Sequence, residues 1–229
     1  MSCERITAGR SARLFSIAGL SAMGALVLLT AALAFAQAPV PGVAPSPPQV
    51  GPVRLDVTDG SAATYRVQEQ LAGISFPNDA VGTTSAVTGT LALNADGSVN
   101  VAQSKLTIDL RSLKSDQDMR DGYIQKRTLE TDKFPLAEFV PKRITGLATP
   151  MPNTGQTGFQ LTGDMTIHGT TSEVTFNGIA TFGRDNSVAG RATTNFTFAT
   201  FGLTKPTLAR ILSVDDKIQL EIAFRFKRS

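Results

Sequence analysis

His168 is the single histidine and Cys3 the single cysteine of a 229-residue chain. One imidazole cannot make a two-histidine metal site, and without paired thiols the common zinc sets are unavailable. As the base of a nucleophilic triad, His168 would need a partnered serine, and the chain has no Gly-x-Ser-x-Gly string. It stands at Ile167-His168-Gly169, where an alternating pattern stops and restarts. The expected role is that of a turn residue bonded to nearby backbone. Two acidic pairs, Asp116-x-Asp118 and Asp215-Asp216, carry carboxylates suited to acid–base work, but a helix start and a turn account for them more simply. Phosphate-cradling Gly-rich loops are absent. Arg120, Lys126, Arg127, Lys142 and Arg143 are the nearest concentration of cations in sequence that a phosphorylated ligand would need, although such clusters usually face water. These residues predict a protein that is not an enzyme and needs no cofactor.

The strongest pattern is apolar. From Leu161 to Phe176 the string LTGDMTIHGTTSEVTF places Phe159, Leu161, Met165 and Ile167 on one parity and Gln160, Thr162, Asp164, Thr166 and His168 on the other. Val174, Phe176, Ala180 and Phe182 repeat the pattern after the turn. Alternation with period two around a short turn predicts an antiparallel hairpin with one apolar and one wet face. Further strands follow from Tyr65 and Val67, from Val87 to Leu93 before the Asn94-Ala95-Asp96-Gly97 turn, from Leu106, Ile108 and Leu110, and from Ala192, Thr194, Phe196 and Phe198. The last strand puts Ile218, Leu220, Ile222, Phe224 and Phe226 on one face. One segment breaks the rhythm. Ser115 can cap a helix running to about Leu129, with Asp116 and Asp118 at its positive end and Gly122 weakening it; Pro135 marks the return to strand at Leu136–Val140. Many amphipathic strands and one helix, without βα alternation, predict an all-β antiparallel sheet closed into a barrel, with an open sandwich as the alternative.

The LTGDMTIHGTTSEVTF string resembles the hairpin of the YceI-like family of secreted lipid-binding barrels. Arg120-Asp121 with Lys133-Phe134-Pro135-Leu136-Ala137-Glu138-Phe139 is similar to that family's helix and its exit, and Phe201-Gly202-Leu203 through Ile218-Gln219-Leu220 to its closing segment. The start departs from it: the family has a Ser-rich first hairpin with a histidine, where this chain reads LAGISFPNDAVGTTSAVTGTL. The resemblance implies a lipocalin-like barrel of about eight strands, whose bore is wide enough for side chains or one slender ligand. It further implies non-catalytic binding, storage or transport of a long-chain isoprenoid or similar amphiphilic lipid.

The predicted lining is Phe139 from the strand after the helix, Leu161, Met165 and Ile167 from the first arm of the hairpin, and Phe176 and Phe182 from the second. Phe196, Phe198, Leu220, Ile222 and Phe224 complete it from the last two strands. Thirteen Phe, two Tyr and no Trp make a lining with few hydrogen-bonding handles. The same inward phenylalanines could equally fill a closed core, leaving an exported structural or interaction module whose loops do the work.

The N-terminus reads as an export leader. A basic start precedes an apolar run from Ala22 to Phe35, and Ala34-Phe35-Ala36 suits cleavage after Ala36. Counted from Leu14, the run is also long enough for an uncleaved anchor. Residues 37–54, as in APVPGVAPSPPQVGPV, read as a Pro-rich linker, and 55–229 as one barrel domain. The sequence pI of about 9.2 overstates the basicity. Removing 1–36 takes away three arginines and one glutamate and lowers the net charge from +3 to +1. That leaves no electrostatic warrant for nucleic-acid binding. The chain is expected to be periplasmic or secreted, with transient membrane contact and pairing of two barrels as further partner expectations.

Overall fold

The computed structural model describes residues 51–73, 75–207 and 211–229. The expected leader and the linker up to residue 50 lie outside them, and Val53 and Arg54 already belong to the first strand. Eleven β segments follow: β1 (Val53–Val57), β2 (Ala62–Leu71), β3 (Asn78–Thr84), β4 (Val87–Leu93), β5 (Lys105–Asp109), β6 (Lys114–Ser115), β7 (Leu136–Thr145), β8 (Gly155–Ile167), β9 (Thr170–Phe182), β10 (Ser187–Thr197) and β11 (Ile211–Arg228).

These segments amount to eight strands, because three strands are broken midway. β1 and β2 lie end to end along β11, with Leu55 opposite Arg228 and Ala63 opposite Ile222. β4 and β3 lie along them in turn, with Leu91 opposite Leu55 and Thr84 opposite Ala63. β5 and β6 follow, with Ile108 opposite Val87 and Ser115 opposite Gly82. β7 to β10 complete the ring, and the β1–β11 pairing closes it. Closure excludes the open sandwich; among the described residues an edge remains only where β6, paired with β3 alone, ends the strand order.

Two of the breaks are held by side-chain hydroxyls. At the β1–β2 break, Thr58 N still donates to Arg225 O of β11 (2.8 Å), but the bend at Asp59-Gly60 leaves the N–H of Arg225 without a ladder partner. Ser61, only 2% exposed, fills the gap: its hydroxyl donates to Thr58 O (2.9 Å) and accepts from Arg225 N (2.9 Å). Thr84 does the same at the β3–β4 break, accepting from Ala86 N at 3.0 Å.

Between β6 and β7 the chain forms α1 (Asp118–Tyr123), continued by a π turn over Ile124–Thr128. The helical run ends close to the expected Leu129, but Ser115 does not cap it. Its pairing with Gly82 keeps Ser115 extended in β6, and its hydroxyl donates to Asp121 Oδ1 (2.7 Å) instead. Three further departures concern the ends of strands. Phe198 lies in a 3-10 turn (Phe198–Phe201) because Thr197 and Thr200 cap one another and end β10. Asp215 and Asp216 stand within β11, at the bulge between Val214 and Ile218, rather than in a turn. β7 runs to Thr145, past Pro141, whose missing N–H falls beside a bulge beyond the last residue paired with β5.

Candidate ligand-binding bore

Three aromatic residues inside the barrel stand directly across a strand pair from a glycine: Phe159 from Gly178, Phe224 from Gly190, and Tyr65 from Gly82. A Cβ on those glycines would meet the facing ring at 2.7, 2.7 and 2.3 Å respectively. The rings occupy the space a side chain would take, so they lie along the wall instead of projecting to the axis. A wall of this kind leaves room at the centre of the barrel.

That room consists of two apolar cavities in line. The upper, about 130 Å³, lies under the helix and the β10–β11 connection; the lower, about 90 Å³, lies toward the β7–β8 and β9–β10 ends. Ile108, Ala137 and Met165 line both and form a waist between them. Each far exceeds the ~10–15 Å³ that one water requires, and the upper approaches the ~150 Å³ at which an apolar cavity takes up a benzene-sized guest. Ile167, Phe196, Phe198 and Leu220 line the upper cavity, and Phe139, Leu161, Phe176, Phe182, Ile222 and Phe224 the lower, with Met165 at the junction. All eleven residues predicted from parity therefore face the bore.

The YceI-like domain family matches residues 57–226, most of the chain. The chain belongs to the YceI-like family. UPF0312 proteins of Pseudomonas putida strains W619 and GB-1 are each 35% identical over 127 residues, covering 51% of this chain and 62% of theirs. The match thus spans about three fifths of the length of these curated relatives. Among solved structures, a polyisoprenoid binding domain from Saccharophagus degradans, implicated in plant cell wall breakdown, aligns with a TM-score of 0.59 at 14% identity, covering 77% of this chain and 98% of that one. BcnA of Burkholderia cenocepacia aligns with a TM-score of 0.51 at 15% identity, covering 74% and 96%. At such identities the likeness is one of fold.

Sequence parity alone left part of this YceI-like bore unassigned. The upper cavity is also lined by Tyr65, Val67 and Glu69 of β2, by Arg120, Tyr123 and Ile124 of the helical segment, and by Ile211 and Val214 of β11. A glutamate on the apolar parity of β2 was the available signal. Glu69 is 4% exposed and pairs with Arg120, whose Nη2 donates to Oε1 at 2.6 Å. Arg120 is therefore committed within the protein. Lys142 is committed as well, lying on the outer wall 2.6 Å from Asp164. The cations that sequence proximity grouped are thus separated: Lys126, Arg127 and Arg143 are exposed, and none of them lines either cavity.

His168 is the turn residue between β8 and β9, at φ 52°, but its partner is not backbone. Its Nε2 lies 2.8 Å from Glu130 Oε2, and its ring meets Phe134 edge-on at 4.6 Å. The pair ties the end of the helical connection to the hairpin tip. Lys133 first, and His168 after it, hold the Glu130 carboxyl below its ordinary range. A depressed folded value means the tie contributes above the unfolded pKa of Glu130 and is lost as pH falls through the folded one. His168→Asn keeps a residue tolerant of positive φ and removes the tie. Thermal denaturation at neutral pH should show a Tm lower by about 2–4 °C, and the difference should shrink in acid to the share carried by the ring contact with Phe134.

Among the described residues, no group of three or more His, Cys, Asp or Glu could hold a metal ion, and no helix is long and apolar enough to cross a membrane.

Proposed function

We propose that the barrel binds one long-chain isoprenoid or similar amphiphilic lipid in its bore, without chemistry, as a carrier or reservoir in the periplasm or outside the cell. The observation that carries this reading is the pair of apolar cavities meeting at Ile108, Ala137 and Met165, a channel suited to a long, thin, apolar chain. The binding named for the Saccharophagus degradans domain agrees with it. Burying roughly 500 Å² of ligand at about 25 cal/mol per Å² gives about 12 kcal/mol gross, against an association cost of roughly 4–15 kcal/mol. A tight complex therefore needs most of both cavities.

A barrel filled by its own side chains, the competing reading, would hold no such channel. Loading from a bilayer is supported by Phe76, Met119 and Leu212, which are 77%, 82% and 68% exposed. All three belong to the end that holds the helix, the β2–β3 connection and the start of β11. The leader-like pattern of residues 1–36 supports export, and Gln37 as the N-terminal residue of the exported protein would be the expected result.

Organic extraction of the purified protein, followed by mass spectrometry, tests the lipid reading. The expected result is one isoprenoid-class chain per barrel. Protein that carries no lipid, and that takes none up from vesicles containing polyprenols, would overturn it.

A further inference from the structure

On that reading a lipid must pass through the barrel wall or its end, and the strand pairing of the wall lapses beside β6. β5 pairs with β7 as far as Asp109 and Leu136, but β6, which carries the same strand upward, pairs with β3 alone. Among the described residues, the last backbone bond across the side facing β7 runs from Leu110 N to Pro135 O, at 2.9 Å. Above it the helical segment takes the place of the missing pairing. Leu110 and Leu113 form one lip of this seam and Ile124, Thr128 and Leu129 the other. All five line the upper cavity, so the seam opens directly into the bore.

One side chain staples the lips together. Gln125 Nε2 donates to Leu113 O at 3.1 Å and to Arg111 O at 3.2 Å, satisfying two carbonyls that no strand takes. The helical segment is anchored at its start by the Arg120–Glu69 pair and by Ser115 on Asp121, and at its end by Glu130 on His168. Between those anchors, side-chain hydrogen bonds to the barrel come from Gln125 and from Tyr123 Oη, which accepts from Thr207 N at the longer distance of 3.4 Å. Two features lower the cost of lifting this middle stretch. Thr128 is buried there with an unpartnered hydroxyl, a desolvation cost that opening relieves. Ile124–Thr128 also runs as a π turn, a rare hydrogen-bond register frequent at functional sites. Ile124 and Leu129 hold the stretch down by apolar burial, which a lipid tail sliding beneath them replaces.

We propose that the seam between β6 and the helical segment is the portal through which the lipid enters and leaves the bore, with Gln125 as its latch. The motion required is small: Gln125 exchanges two carbonyl partners for water while the anchors at both ends of the segment stay in place. The competing route lies under the other cover of the upper cavity, the β10–β11 connection, where Lys205 is 3.2 Å from Asp216.

Stopped-flow mixing of the delipidated full-length protein with a dansyl-labelled geranylgeranyl reporter gives both rate constants. A latch sets the fraction of time the portal is open, so its loss should raise association and dissociation by the same factor and leave Kd where it was. Gln125→Ala should raise both rates about fivefold or more, as expected for two lost hydrogen bonds that water partly replaces. Kd should stay within about twofold of the parent, a small fraction of one decade in affinity. Gln125→Glu, which at neutral pH keeps the shape but has no N–H to donate, should act in the same way. Lys205→Ala, which frees the β10–β11 connection instead, should exchange reporter at the parent's rates.

Parent rates in both Gln125 variants would overturn the portal while leaving lipid binding intact. A rise in dissociation alone would also overturn it, since Gln125 would then hold the ligand or the fold rather than the passage. Faster exchange in Lys205→Ala without it in the Gln125 variants would move the entrance under the β10–β11 connection. A parent protein that does not bind the reporter would instead refute the lipid reading on which the portal rests.

Discussion

Arg120→Met should destabilise the barrel by about 3–5 kcal/mol, the cost of leaving one member of a buried ion pair without its partner. In a domain of this size that corresponds to a fall in Tm of roughly 6–20 °C. The asymmetry of the site sets the magnitude. Glu69 is 4% exposed on the inner face of β2, and methionine would leave its carboxylate facing an apolar cavity. Asp116, the other partner of Arg120, is 69% exposed and loses little, because water replaces the guanidinium. The double variant Arg120→Met/Glu69→Leu should recover most of the loss, since a buried pair replaced by apolar residues of similar volume is often neutral or better. Urea or thermal denaturation of the single and double variants decides it. A single variant within 1 kcal/mol of the parent would mean that water reaches Glu69 and that the upper cavity is wet.

The same residues show what was legible in the sequence. The β8–β9 hairpin could be read residue by residue because both arms keep period two and join through a two-residue turn, so one parity assignment fixes the inner face of twenty-six positions. β3 could not. Its inner positions are Ala80, Gly82 and Thr84, small because the Tyr65 ring lies over Gly82, and a strand with small inward residues has no hydrophobic alternation to detect. Phe198 was predicted to face inward for an incomplete reason. It does line the bore, but from a 3-10 turn that the Thr197–Thr200 capping box imposes after β10 has ended.

Partners distant in sequence account for the rest. Glu69 meets Arg120 across 51 positions and His168 meets Glu130 across 38, and no local pattern encodes either encounter. The charge cluster illustrates the limit: adjacency in sequence placed Arg120 beside Lys126 and Arg127, and the expectation that such a cluster faces water holds for those two, whereas Arg120 turns inward to Glu69.

Ala137→Phe should separate the two halves of the bore. Ala137 is 2% exposed, stands directly opposite Ile108 in the β5–β7 pair, and lines both cavities at the waist with Met165. A phenyl group projecting there fills the passage, and the space on either side lets it settle at the lower end of the ~1–3 kcal/mol that overpacking costs. A tail long enough to occupy both cavities then loses one of them. If that cavity buries roughly 250 Å² of the ligand, the loss is up to about 6 kcal/mol at 25 cal/mol per Å²; a fall in affinity of at least ~100-fold, about 2.7 kcal/mol, is the conservative expectation. A short-chain analogue that reaches only the upper cavity should bind the variant and the parent alike within about threefold, or ~0.7 kcal/mol. This contrast between tail lengths distinguishes a blocked channel from a damaged barrel, because unfolding or a distorted mouth would weaken both ligands together. If long-chain affinity survives the substitution unchanged, the tail does not pass the waist, and the lower cavity is packing space rather than part of the site.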